Sequence, residues 1–515
     1  MTGNLRLLPA LLLLMIAVAA AAALALATPH GLGISTDSVV YRTAAANLVE
    51  TGRMVVPAPG GKLEPLTRFP PGYPALLAGS ALLGGDIDSG ARALAILLLA
   101  VNVFLTGWIV MRSSEHVGLG VAAALFVALA LPVMESHTWE WSEPAFMAGM
   151  LGLALALEAH LAQATRWAWN LALLMAGSVA LTRYAGVALA VAAGVVLASW
   201  DEGARWARLL RASTFVVAAT APLGFWMLLN LQFVGTASGR EPTFLPPGSG
   251  RLYEALDTIS GWLMPRFLPF WPRVLAAAGL IGAVALAGRM LGGWHQAGRN
   301  PRLPVLFLSF AAVYASLIGI ALTFLDADIP LDDRILLPLF LTLLVMATWA
   351  IAPAYRSNDR KSRAIRQAAA VVGACLLALH ATRTTRLLAG VREQGLGYAN
   401  HEWRTSALVS WVRTNRPAGL VSSNFPDALT FQTGVVSEWL PWKADANAGR
   451  ARVTEYAREL QQLDRRLQDE QGVIVLFDRA RRMMPSRPEL ETALHIRSLA
   501  ELSDGAVFAS VPRAP

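Results

Sequence analysis

Residues 7–27, LLPALLLLMIAVAAAAALALA, run apolar for about the 20 residues that a helix needs to cross a bilayer core. Similar stretches follow near 91–111, 117–134, 143–163, 167–182, 185–200, 212–231, 273–290, 304–324, 335–352 and 367–387. In hydrocarbon every backbone N–H and C=O must be paired within the spanning structure, so runs of this length have to be helices. The chain therefore reads as an α-helical polytopic membrane protein with about eleven transmembrane helices. The stretch 167–200 has two readings, one long tilted helix or two short helices hinged at Arg183-Tyr184. For the first run a cleaved leader is the rival reading. The run exceeds the usual leader core of about 7–15 residues, and the later spans make an uncleaved helix the simpler choice.

Composition supports a lipid setting. The 515 residues are 55% hydrophobic and 15% charged, with mean hydropathy +0.47, where a soluble domain carries about a quarter charged residues. The formal charge of +8 is explained by topology, because the basic residues collect in short loops. These hold Arg112, Arg166, then Arg205, Arg208 and Arg211, then Arg289, Arg299 and Arg302, and finally RSNDRKSRAIR at 356–366. Basic loops stay cytoplasmic. The N-terminus is thus expected inside, with segments 28–90, 134–142, 232–271, 325–334 and everything after about 388 outside. No nucleic-acid partner is expected. The single cysteine, Cys375, lies in an apolar stretch, where burial is expected, and offers no disulfide framework.

The outer segments are the long ones, so chemistry is expected there. Residues 1–388 form the transmembrane module, whose first outer loop, 28–90, contains STDSVVYRTAAANLVETG. Tyr41, Ala45 and Leu48 share a helical face, Ser35 or Thr36 is the expected N-cap and Gly52 the stop. Asp37 then stands at a helix N-terminus, where backbone N–H groups attract negative charge. LTRFPPGYPALLAG turns at its prolines into an apolar stretch too short to span, an interfacial or re-entrant helix. Residues 389–515 change composition abruptly. An amphipathic helix (HEWRTSALVSWVRTN), strands GLVSSN and GVIVLFD, and the charged helix YARELQQLDRRLQDEQ predict a small α/β domain on the outer face.

Asp37, the Tyr41–Ala46 stretch and Pro70-Pro71-Gly72-Tyr73-Pro74 resemble the first outer loop of the GT-C glycosyltransferases. The likeness is to the branch of protein O-mannosyltransferases and the aminoarabinose transferase of lipid A. It is specific in this loop and architectural over the rest of residues 5–390. The resemblance implies an inverting transferase that moves a sugar from a polyprenyl-phosphate donor to an acceptor on the extracytoplasmic face of the cell inner membrane. The acceptor is a glycan, a lipid or a protein. By resemblance Asp37 would be the general base, with Tyr41 and Tyr73 shaping the pocket. Arg183, in LTRYAG, would hold the donor phosphate, where the family has a Thr-Lys-Gly segment. Arg334, in LDDRILLP, would do so where the family starts a late helix with Arg-Tyr. Glu143, in HTWEWSEP, would stand near the acceptor. Lys62, Glu64 and Arg68 lie on the first loop within reach of the donor, with a Leu separating Lys62 from Glu64 where the family has an adjacent pair.

Each of these residues has a plainer reading. Asp37 could be a simple helix cap, Arg183 could extend to the headgroups, and Arg334 could pair with Asp332 and Asp333. Glu143 could be a helix-start carboxylate in an aromatic belt, and Glu64 and Arg68 solvated loop charge. No cofactor is expected; His137 with Glu140 is a weak hint of a divalent metal. Walker loops, GxSxG elbows, HExxH and Rossmann fingerprints in a supporting context are missing. The alternatives are a transporter or lipid-linked sugar flippase, and a non-catalytic assembly partner. A transporter of this size usually shows paired repeats with broken helices, and none is evident.

Overall fold

The computed structural model of the chain describes residues 4–57, 63–240, 242–246, 248–291, 301–444, 452–479, 481 and 483–511. Helix α1 (Asn4–Ala27) leads into the first outer segment. That segment contains α2 (Thr36–Thr51), a hairpin of β1 (Val55–Pro57) and β2 (Leu63–Pro65), and α3 (Gly72–Gly84). Then come α4 (Ile87–Ser114), α5 (Val117–Leu129), α6 (Leu131–Thr138), α7 (Glu143–Gln163) and α8 (Arg166–Thr182). They are followed by α9 (Val187–Trp200), α10 (Arg205–Val234), α11 (Ser249–Leu263) and α12 (Phe270–Met290). The helical body closes with α13 (Arg302–Phe324), α14 (Leu337–Ile351) and α15 (Arg360–Gln394).

Among the described residues, eight helices are long and apolar enough to cross a membrane, or nine if the bent pair α5–α6 is one span. The chain is a polytopic α-helical membrane protein, but the expected eleven spans are not reached by this measure. Every predicted run is helical, yet α8 and α9 have only 17 and 14 residues, because 167–200 is two helices broken at Arg183. The 50° bend between α5 and α6 follows from Ala130, which turns extended ahead of Pro132 in the first turn of α6. This bend aims the loop 139–142 at the N-terminus of α2.

The core runs through α4, α5, α7, α9, α13 and α14, where Val103, Val127, Phe146, Leu189, Phe310 and Leu341 are buried. Rim helices α1, α10, α12 and α15 expose Leu8, Leu210, Trp271 and Val371, a surface that lipid would cover. Cys375, expected to be buried, is on the exposed side of α15, since the apolar stretch around it faces outward rather than into the core.

The tail begins after Gln394. It holds α16 (His401–Arg404), α17 (Ala407–Asn415), β3 (Val421–Ser423), α18 (Pro426–Thr433), β4 (Glu438–Trp439) and α19 (Val453–Asp469). It ends with β5 (Val473–Phe477), α20 (Arg487–Ala493), β6 (Ile496–Leu502) and β7 (Gly505–Ser510). The sheet order is β4-β3-β5-β7-β6, with β3 parallel to β4 and β5 and the β7 pairings antiparallel. The predicted helix over 401–415 is two pieces, because the Ser406 side chain caps a fresh start at Val409 N. Central β5 is buried along its whole length, which explains its unbroken VIVLF.

Body and tail are tied at residues 33–34. Gly33 N donates to Thr138 O at 2.8 Å, and Glu140 N donates to Gly33 O at 3.0 Å. From the other side Tyr398 N donates to Ile34 O at 2.8 Å. Gly397 (φ +55°) permits this approach; a Cβ there would collide with the Ile34 carbonyl.

Candidate active site

The N-terminus of α2 is built by its own sequence. Ser35 Oγ accepts from Ser38 N at 3.3 Å, and Ser38 Oγ accepts from Ser35 N at 3.0 Å, a reciprocal cap. Gly52 (φ +70°) ends the helix. Trp141 Nε1 also donates to Ser35 Oγ, at 3.1 Å, so the cap is a joint between α2 and the loop 139–142. Ser35→Ala is expected to lower stability by about 1–2 kcal/mol, read as a fall in melting temperature of the purified protein.

Asp37 sits in the first turn of α2 and its Oδ2 accepts from Arg334 Nη1 at 2.7 Å. The same guanidinium donates through Nε to Glu143 Oε1 at 2.7 Å, and Arg183 Nη1 pairs with that same Glu143 oxygen. Arg183 also donates to Ser142 Oγ at 3.2 Å. Four residues that are distant in sequence thus form one chain of ions, Asp37–Arg334–Glu143–Arg183.

Local structure explains each member. Pro144 in the first turn starts α7 and leaves Glu143 at its N-terminus. Asn102 holds this turn by donating to Pro144 O at 3.0 Å. Arg183 ends α8 in extended geometry (φ −148°, ψ 137°), so its side chain turns to Glu143 instead of running up to the headgroups. Gly72 at the start of α3 packs on this break, and a Cβ there would lie 2.6 Å from Leu181 O. Arg334 leaves a turn in which Asp332 Oδ1 accepts from Arg334 N at 3.1 Å and Ile335 N at 3.0 Å. Its guanidinium therefore does not pair with the neighbouring aspartates. It lies over the Trp141 ring, 4.6 Å from the centroid, and Trp141 is stacked on Trp139. Asp333 is engaged elsewhere, by Trp262 Nε1 at 2.6 Å and Arg266 at 3.1 Å.

Exposure separates the two carboxylates. The Glu143 side chain is 2% exposed and the Asp37 side chain 26%. Glu143 is sealed beneath two guanidiniums, whereas the Asp37 carboxylate is partly open to the surface. Burial opposes the charge on Arg334, but Glu143 and Asp37 outweigh it and hold the pKa well above the usual arginine range. Under the network Tyr41 packs edge-on against Phe69 and Tyr73, at 4.7 and 5.0 Å, and both tyrosines are buried. Tyr41 thereby packs α2 against α3. Glu64 and Arg68 are exposed, and Lys62 lies outside the described residues.

A second ionic link, which the sequence reading did not find, pins the other face of α2. Arg42 donates to Glu140 Oε2 at 2.7 Å and to Asp88 Oδ1 at 2.6 Å. Burial pushes the Glu140 carboxyl up to about 7 against the pull of Arg42. His137 is a core histidine. Its Nε2 meets Asn102 Nδ2 at 3.1 Å and its Nδ1 meets Val133 O at 2.7 Å, so the pairing with Glu140 that hinted at a metal does not form. Among the described residues no three His, Cys, Asp or Glu side chains gather as a metal site.

A cavity of about 190 Å³ adjoins the network, lined by Trp141, Arg334, Asp332, Asp333 and Glu135 among others. A larger cleft of about 690 Å³ lies along Val39, Arg42, Thr43 and Ala46. Those positions share the face of α2 turned away from Asp37 and Tyr41. Size alone would point to the larger cleft; the convergence of charge points to the Asp37 face.

No family model and no curated protein matches the sequence. Among solved structures the chain is similar to ArnT from Cupriavidus metallidurans. With the form bound to undecaprenyl phosphate the identity is 14% over 100% of this chain and 99% of that one, at a TM-score of 0.58. With the apo form the identity is 14% over 97% and 98%, at a TM-score of 0.60. The arabinofuranosyltransferase AftD from Mycobacteria is also similar, at 15% identity over 97% of this chain and 40% of that one, with a TM-score of 0.51. At such identities the likeness is one of fold. The chain shares the fold of these structures over nearly its whole length, in line with the resemblance of its first outer loop.

Proposed function

We propose that this protein is an inverting glycosyltransferase that moves a sugar from a polyprenyl-phosphate donor to an acceptor on the extracytoplasmic face of a plasma membrane. The observation that carries the reading is the ionic chain in which a reachable carboxylate, Asp37, is held by a guanidinium, Arg334, that is itself anchored on a sealed carboxylate, Glu143. The similar ArnT structure is bound to undecaprenyl phosphate, a polyprenyl phosphate, and the chemistry fits such a donor.

Arg334, with Arg183 behind it, would receive the phosphate and stabilise its charge as the glycosidic bond breaks, in a site poor in water where fixed charge acts most strongly. The phosphate would compete with Asp37 for Arg334. Its arrival would release the carboxylate to take the proton of the acceptor O–H as that oxygen attacks the anomeric carbon. Double displacement would require a second carboxylate as nucleophile. Glu143 is committed to both arginines, which favours single displacement with inversion. The basic short loops support an N-terminus in the cytoplasm and a tail outside.

The test is transfer of labelled sugar from a panel of polyprenyl-phosphate pentoses and hexoses by the purified protein in proteoliposomes. A labelled product supports the reading. Label crossing the bilayer without product would replace it with transport. Arg334→Gln is expected to lower transfer about 10²–10³-fold and to weaken binding of polyprenyl phosphate, measured by titration with the lipid.

A further inference from the structure

Two buried polar atoms of the tail, at the end of α18 that packs on α2, have no task in the reaction above. Tyr398 brings its hydroxyl to Thr36 Oγ1 at 3.1 Å, and Gln432 Nε2 donates to Tyr398 O at 2.6 Å. This contact seats α18 on α2. Asp427, in the first turn of α18, lies within hydrogen-bonding reach of the Thr36 side chain and is close enough to Asp37, Arg68 and Arg481 to feel their charges. Its Oδ2 is buried with no partner among the described residues. The Arg481 guanidinium lies over Phe425 and Trp439, at 4.8 and 4.5 Å from their centroids, and its Nη1 is likewise buried and without a partner among the described residues. Buried polar atoms are nearly always paired, so two orphans of opposite type at the N-terminal end of α18, where it packs on α2, call for a ligand.

Resting on the function proposed above, we propose that Asp427 and Arg481 form a subsite for the hydroxyl groups of a sugar-bearing acceptor, built by the tail next to the base. A carboxylate accepts from hydroxyls and a guanidinium donates to them, so the pair matches a polyol. Each charge offsets the other, which makes a free anion a poorer ligand. Two rings hold Arg481 in place before the ligand arrives, which lowers the entropy cost of binding. In-line displacement puts the acceptor oxygen across the anomeric carbon from the departing phosphate. With the phosphate on the arginines of the helical body, the tail side of Asp37 is left for the acceptor. Burial pushes the Asp427 carboxyl up to about 6, with Thr36 and Arg481 pulling it back, so at neutral pH it is mainly an acceptor of hydroxyl protons.

The test uses the full-length protein with Asp427→Asn and Arg481→Gln, and envelope lipid, glycan and protein fractions from cells lacking this protein as acceptor pools. Both variants should raise the half-saturating amount of the lipid or glycan fraction about tenfold or more, the size expected for hydrogen bonds to charged groups. Affinity for polyprenyl phosphate should stay within about twofold and the melting temperature should hold. Unchanged half-saturation in both variants overturns the subsite. So does a parallel loss of polyprenyl-phosphate binding, a lowered melting temperature in both, or label entering only the protein fraction. Wild-type protein that labels no fraction overturns the proposed function itself, a distinct outcome.

Discussion

Asp37→Asn is expected to slow sugar transfer by about 10²–10⁴-fold, the span over which a positioned base accelerates proton transfer, while the protein still folds and binds polyprenyl phosphate. Asn keeps the shape of the side chain, and its amide oxygen can still accept from Arg334. What it cannot do is take a proton. The α2 cap does not depend on Asp37, because Ser35 and Ser38 make it between them. A loss of transfer with an unchanged melting temperature and unchanged lipid affinity would therefore isolate the proton step. Transfer at the wild-type rate would remove Asp37 from the mechanism.

Glu143→Gln should act on stability instead, by about 3–5 kcal/mol, the cost of breaking a buried ion pair from one side. Glu143 Oε1 serves Arg183 and Arg334 at once. A neutral amide would leave two adjacent guanidiniums to repel each other in a site largely closed to solvent. Thermal melting of the purified protein would read the loss. Removing one of the two charges as well, in Glu143→Leu with Arg183→Met, should recover part of it, since replacing a buried pair with apolar groups is often neutral. A melting temperature for Glu143→Gln equal to wild type would show that the network is solvated and that the sealed-anchor argument is wrong.

Much of this molecule was legible beforehand because bilayer thickness imposes a length on apolar helices, and every run chosen on that ground is helical. The cap at Ser35, the stop at Gly52 and the break at Arg183 follow from local chemistry that a few neighbouring residues determine. The span count of eleven is not reached at α8 and α9, whose 17 and 14 residues fall short of the length by which a spanning helix is recognised. The link of Arg42 to Glu140 and Asp88 went unrecognised because nothing in the spacing of a single charged residue tells which distant charge it meets.

The sequence by itself determined the helical class and the position of Asp37 at a helix start, since propensity, hydropathy and capping act over a turn or two, while the boundary expected at 388/389 falls inside α15, which runs on to Gln394. Only the tertiary structure decided that Arg334 bonds across 297 positions to Asp37 in preference to its adjacent aspartates, that Glu143 is an anchor beneath two arginines, and that the tail seats α18 against α2. Those are outcomes of packing, in which desolvated charges accept whichever partner the folded chain presents.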